Sequence, residues 1–386
     1  MAVRYIRVNP VADLFAPAVR AFGNIAIVGV ASAGTSNVPI LFTNPADAED
    51  QLRDATTKQA VADHIKDPEH NPPVFDLASS IRMAFNQSPG PSLVYGIPVA
   101  SSPGGPDWDA ALKAVDTLDV QLVILANSHL TAANSAAFGI LAGHVKSVSD
   151  TGGDGMERMG VVMLDKGSTD ETVLTGNLVY ERMVYIAHKS DEDAAAAVAG
   201  TIAGYEPHIS LLLKPVSITT DPFSSAEIET INGSETFKSG PAGKGINWLV
   251  DPVLIPGRGV YVGEGYTGDP GGKKYIDIVR TIDDVSFRLK AQLIKTVGNL
   301  RISRSGLRAL TAQMEAVLEP LVRAEVIEGY DIVIPILTML DKDPNVLTTA
   351  ELNQINSAQS QRVVEVLVAV DYAGAIHRLA ITLKFE

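Results

Sequence analysis

Short apolar runs alternate with one-sided amphipathic stretches along the first 245 residues. "NIAIVGV" (24–30) and "VQLVILA" (120–126) are apolar on both faces, as strands in the middle of a covered sheet are. "SLVYGIPVA", "RMGVVMLD" and "RMVYIAHK" predict three more strands. In "VFDLASSIRMAFNQ" (74–87), Val74, Leu77, Ala78, Ile81 and Phe85 recur at three- and four-residue steps, one face of a helix. Polar residues 46–66, "DWDAALKAVDTL" with Asp107 at its start, and a stretch around 133–147 predict further helices. This alternation predicts an α/β domain with an open sheet.

"SDEDAAAAVAGTIAGY" (190–205) predicts a helix capped by Ser190 and started by Asp191, Glu192 and Asp193, whose charges complement the helix dipole. Ala196, Gly200 and Gly204 form a smooth stripe along it, suited to close packing against another element. After residue 245 the pattern changes. "GINWLV", "VLIPGRGVYVGEGY" and "KKYIDIV" read as short strands between Gly/Pro turns, followed by helices near 281–297 and 304–326. The end reads as two strands, "RVVEVLVAVD" and "AIHRLAITLKFE", joined at "YAGA".

Composition narrows the classes. The 386 residues suggest two or three domains, and 46% hydrophobic residues suffice for a sizeable core. A net charge of −14 argues against nucleic acid or an anionic membrane as partner of the whole surface. No apolar run approaches the roughly 18–20 residues that span a bilayer, and "MAVRYIRVNP" lacks the apolar core and cleavage site of a signal peptide. With no cysteine there are no disulfides, thiol nucleophiles or cysteine-based zinc sites.

The familiar chemical motifs fail on inspection. "GVASAGTSN" (29–37) follows a strand as a phosphate loop does, yet Thr35 and Ser36 stand where the P-loop needs Lys then Ser/Thr, and Ala31 replaces the second glycine of the dinucleotide fingerprint. Both motifs also need a helix to start there, whereas "TSNVPILF" reads as a turn into another extended segment. "DKDPNVLTTAE" (341–351) imitates a calcium loop through Asp341, Asp343 and Asn345, but Val346 and Leu352 replace the required Gly and Glu. There is no HExxH pair and no G-x-S-x-G turn. "NGS" (232–234) reads as a turn.

Two features remain. Residues 273–323 carry ten positive and five negative side chains, leaving −19 for the rest of the chain. In its first helix Ile282, Val285, Leu289 and Leu293 predict the buried stripe, with Arg288 and Lys295 together on another face and Lys290 elsewhere. That leaves either a solvated face or one that docks on an acidic partner. Both chain ends are also β-prone: "VRYIRV", with Val3, Tyr5, Ile6 and Val8, and the last run, with Leu379, Ile381, Leu383 and Phe385 on one face. A terminal strand pairs within its own domain or adds to a neighbour's sheet.

In chain order, "NIAIVGVASAGTSNVPILFTN", "LASSIRMAFNQSPGPSLVYGIPV", "AAAAVAGTIA" and "GINWL … GRGVYVGEGY … KKYIDIVRTIDDV" resemble successive segments of contractile tail sheath proteins. The resemblance covers most of the chain. It implies an α/β outer domain over 21–245, a C-terminal α+β sheath domain over 246–386 and an N-terminal arm over 1–20. It further implies a structural subunit without catalysis, cofactor or metal, stacked as six-fold rings around an inner tail tube. Baseplate and tail terminator proteins would be its other partners, without direct contact to nucleic acid or membrane insertion. The arms would donate strands to neighbouring subunits, and Arg280, Arg288, Lys290 and Lys295 would face the tube. The particle would be a virion tail or injection device assembled in the host cytoplasm. Phage, archaeal virus, tailocin and extracellular injection system stay open. A tail tube or other virion assembly protein, and an α/β enzyme of unknown reaction, are the alternatives.

Overall fold

β1 (Ile25–Val30), the first apolar run, is buried along all but its last residue. It lies inside a ten-stranded sheet in a computed structural model that describes residues 21–100, 105–150, 155–236, 238–257 and 259–379. The turn after it is structural. Gly34 has φ +94°, which favours glycine, and a side chain on Gly29 would collide with Ala126. The chain continues into β2 (Ile40–Phe42), then α1 (Pro45–Leu52) and α2 (Ala55–Lys66), which divide the predicted 46–66 helix at Arg53–Asp54. Asp54 restarts the helix by capping the Thr57 amide. α3 (Leu77–Phe85) opens with a reciprocal capping box between Asp76 and Ser79. β3 (Val94–Val99), α4 (Trp108–Lys113, capped by Asp107) and β4 (Leu122–Leu125) follow the sequence pattern. After the two-residue β5 (His129–Leu130) come α5 (Ser135–Asp150), β6 (Met159–Leu164), β7 (Met183–Ala187) and α6 (Ala194–Gly204). β8 (Pro215–Val216), α7 (Ser225–Asn232), β9 (Ile246–Val250) and β10 (Val260–Val262) lead to α8 (Ile276–Leu293).

The sheet runs β2-β3-β1-β4-β6-β7-β9-β10-β8, with β5 on β6. From β3 to β9 all pairings are parallel, while β2, β10 and β8 are added antiparallel at the edges. Side chains alternate between two cores: Ile25 and Ile27 join Leu77, Ile81 and the alanines of α6, while Ala26 and Val28 join Leu112, Phe138 and Leu141. Each fully buried Leu or Ile contributes about 1.5–3 kcal/mol.

Every residue of α6 from Ala194 to Ala203 is buried. A side chain on Gly200 would strike the Ala84 carbonyl, and one on Gly204 the Pro89 carbonyl, so the small-residue stripe does admit a neighbouring backbone. Its cap is Asp193, which accepts from the Ala196 amide; Ser190 instead accepts from Glu192. "KKYIDIV" is not a strand. Only Tyr275 bridges, to Tyr266, and α8 begins at Ile276.

The smaller unit continues from Asp284 to Ala373 and contains α9 (Arg304–Arg323), β11 (Ile327–Val333), α10 (Pro335–Leu340), α11 (Thr349–Gln361) and β12 (Leu367–Tyr372). Residues 21–283 and 374–379 belong to the larger unit. The division thus falls after Asp283 and not at 245/246, because β9 pairs with β7 and brings β10 and β8 into the same sheet. Of the predicted pair of terminal strands, the first becomes β12, while residues 380–386 of the second lie outside the described residues. β12 pairs antiparallel with β11, which is absent from the sequence reading, and residues 373–379 form no strand.

Candidate assembly surfaces

Of the four basic residues expected to meet a tube, Arg280 is the one that the fold withdraws. It is 7% exposed, and its guanidinium donates to the carbonyls of Tyr205 (2.9 Å) and Phe22 (3.2 Å). Three backbone acceptors sharpen the reason, since Glu206 O lies at 3.5 Å: a planar fork with five donors suits a cluster of carbonyls. Arg288 is half-buried and paired one turn back with Asp284, Nε to Oδ2 at 2.8 Å. Lys290 is half-buried and Lys295 exposed. Further along, Arg304 and Arg308 both approach Asp341, and Arg323 pairs with Glu319, so much of the segment's positive charge is met within the chain.

Three members of the predicted apolar stripe pack as expected: Val285 is buried, and Leu289 and Leu293 join the cores of the smaller unit. Ile282 does not, at 40% exposure. Ile276 and Val279, nearly two turns and one turn earlier, serve the core of the larger unit, and Ile282 serves neither. Beyond α8, Ile294 (69%) and Val297 (74%) stand in solvent beside Lys295. Sequence reasoning missed this mixed apolar and basic turn; its signal was the continuation of apolar residues past Leu293, the last of the stripe to pack on a core.

β11 and β12 form a two-stranded antiparallel sheet, with an irregularity between Ile327 and Gly329. One face packs through Ile327, Ile332 and Val368 on Leu318 and Leu321 of α9. Val333, Leu367 and Val370 are exposed. Among the described residues no strand pairs with either outer edge. Such a ribbon presents two rows of open backbone groups and is marginal alone. Of the arm residues, Leu379 is exposed, whereas Val3, Tyr5, Ile6, Val8, Ile381, Leu383 and Phe385 lie outside the described residues.

In the larger unit a crevice opens at the carboxyl ends of β4, β6 and β7, where parallel α/β sheets place ligands. Its polar groups serve the fold. Asp193 accepts from Ser80 Oγ (2.6 Å), from the Asn127 amide (2.8 Å) and from its own helix. Asp76 is held by both arms of Arg53, at 2.7 and 2.8 Å. Asn127, at φ +49°, donates its side-chain amide to Asp76 O and Ser80 Oγ, locking the loop after β4 against α3.

No protein-family profile matches the chain, and no curated protein matches it in sequence. Solved structures do share the fold. The sheath of an extracellular contractile injection system, PVC, in its contracted state aligns over 100% of this chain and 97% of its own, with TM-score 0.65 and 13% identity. The contracted helical sheath of the anti-feeding prophage aligns over 100% and 99%, with TM-score 0.60 and 14% identity. The sheath tail protein Lin1278 of Listeria innocua covers 86% and 92%, with TM-score 0.54 and 12% identity. The described residues therefore share the α/β fold of these sheath structures.

Proposed function

We propose that the chain is the structural subunit of a contractile sheath, polymerising as stacked six-fold rings around an inner tube and shortening to drive that tube through a cell envelope. The observation that carries this reading is the likeness of fold to the contracted sheaths of the PVC injection system and the anti-feeding prophage, each aligned over the whole of this chain. The open edges of β11 and β12 support it, because an assembly that joins its subunits by strand addition needs an unfilled ladder on each copy. Residues 1–20 and 379–386 are the strands to be donated. Contraction then exchanges one rigid-body packing for another while these main-chain links hold. The turn of Lys295, Ile294 and Val297, with Arg288 and Lys290 behind it, is the surface offered to the tube. Weak contacts suit that role: each exposed ion pair is worth only about 0.2–1 kcal/mol, so the tube is gripped by repetition and released on expansion. Baseplate and terminator proteins would cap the two ends, in a tail or injection particle built inside the producing cell. The reading needs no catalytic group or cofactor.

Negative-stain microscopy of the purified chain tests it. Striated tubes or stacked rings are the expected result. A monomer that persists at high concentration and in the presence of its tube protein would overturn the reading.

A further inference from the structure

Glu264 is wholly buried, 0% exposed, between the glycines of "GEGY". The groups that answer it come from residues 377 and 378. His377 Nδ1 lies 2.9 Å from one carboxylate oxygen, and Arg378 Nη1 lies 2.5 Å from the other. Arg378 also grips Glu235 bidentately, Nε to Oε2 at 2.8 Å and Nη2 to Oε1 at 3.0 Å. The remaining nitrogen of His377, Nε2, lies 3.0 Å from Ser210 Oγ, and Tyr275 meets the imidazole edge-on with ring centroids 4.7 Å apart. Glu235 is itself fixed by the side-chain amide of Asn232 and the Ala242 backbone amide. Side chains, not a strand ladder, hold residues 374–379 in place.

We infer that Glu264 and Glu235 form a socket that keeps His377 and Arg378 on their own copy, so that any pairing of residues 379–386 with a neighbour hinges at Arg378–Leu379 and not at the end of β12. A wholly buried carboxylate cannot be left without its partners cheaply, and a guanidinium that grips Glu235 bidentately while lying against Glu264 has a geometry that lysine cannot reproduce. The socket therefore stays filled, and pairing with another subunit falls to the residues after Arg378. The part concerning assembly rests on the sheath reading; the socket does not.

Trypsin acting on the native full-length chain reads the socket directly, because cleavage after Arg378 requires that side chain to leave the two glutamates. Exposed Arg362 serves as the internal control. With Arg378 unchanged, Glu235→Gln and the double variant with Glu264→Gln should speed release of the residues after Arg378 at least about tenfold, the scale of losing a charged hydrogen bond. Cleavage after Arg362 should not change. If the double variant unfolds, faster cleavage at both sites will show it, and Glu235→Gln alone then decides. Wild-type cleavage after Arg378 as fast as after Arg362, or equal rates in wild type and Glu235→Gln, overturns the socket. In microscopy, Glu235→Gln should shorten assemblies as deletion of 379–386 does. Loss of assembly on deletion but not in Glu235→Gln overturns the anchoring role and leaves the sheath reading intact. Normal assembly by both overturns exchange of the C-terminal residues, with the trypsin result still judging the socket.

Discussion

Arg182 and Asp283 hold each other through two parallel bonds, Nη1 to Oδ2 at 2.6 Å and Nη2 to Oδ1 at 2.8 Å. The pair ties the residue before β7 to the middle of α8, and both side chains are largely buried. Burial by itself would lower the arginine's affinity for its proton, but the Asp283 carboxylate reverses this and raises it above the usual arginine value. Removing one partner would leave the other charge buried without its counter-ion, which makes the pair costly to break from one side.

Asp283→Ala should therefore destabilise the chain by about 3 kcal/mol, the lower end for removing one partner of a buried pair. Urea unfolding would measure it. Adding Arg182→Leu to Asp283→Ala should recover part of the loss, since the unpaired cation is then gone. A single-variant cost below about 1 kcal/mol would show that the pair is not a clamp.

Acid should weaken the larger unit through His144. Its side chain is buried on α5, and burial, followed by the nearby Arg158 charge, pushes it down to about 4. The unfolded chain takes up this proton near pH 6.5, whereas the folded chain resists until about pH 4. Stability from this group is thus complete above pH 6.5 and is lost as pH falls toward 4. The ceiling is roughly 3 kcal/mol at about 1.4 kcal/mol per unit. The Asp116 carboxylate, 3.1 Å from Nδ1 and half-exposed, works against the shift and reduces that figure. Calorimetry at pH 7.5 and 4.5 should show a fall in Tm that His144→Gln lessens.

Gly200→Ala tests the packing of α6 on α3. Alanine is favoured in a helix by up to about 1 kcal/mol over glycine, so an exposed site would gain stability. Here the new methyl would meet the Ala84 carbonyl and the Gln87 side chain. Overpacking costs typically 1–3 kcal/mol, and the expected result is a net loss in thermal denaturation. A stabilised Gly200→Ala protein would mean that the two helices separate easily.

Two assembly variants follow from the proposed surfaces. Deletion of residues 1–9 should leave circular dichroism and Tm of the larger unit unchanged and abolish long assemblies, because the receiving edges of β11 and β12 go unfilled. Regular tubes from the truncated chain would refute strand donation by that arm.

Arg288→Glu with Lys295→Glu should impair sheathing of the tube without unfolding the monomer. The Arg288 change also places a carboxylate one turn from Asp284, a repulsion of only about 0.2–0.5 kcal/mol on a helix. Raising the salt concentration should weaken the wild-type contact in the same sense, since exposed charges are screened within about 8–10 Å. Normal sheathing by the double variant, seen by microscopy, would remove these residues from the tube contact.

Periodicity by itself determined an open α/β sheet and most of its helices; that its central strands run parallel came from the structure. Strands that are apolar on both faces, such as 24–30 and 120–126, can be buried only between two helical layers, and three- and four-residue spacing in 77–85 leaves little choice but a helix. It also marked Gly200 and Gly204 as points of close approach, because a gap on a buried face must be filled by a neighbour. Tertiary structure decided the rest. "KKYIDIV" is apolar enough for either state, and α8 won because Ile276 and Val279 enter a core that no local pattern reveals. β11, with Glu328 and Asp331 interrupting its apolar residues, becomes a strand by pairing with β12 and packing on α9. Charge showed least of all in one dimension. Arg280 and Arg288 look alike in the sequence, yet one is consumed by backbone carbonyls and the other by Asp284, because a cation's fate depends on which acceptors the fold brings within about 3 Å.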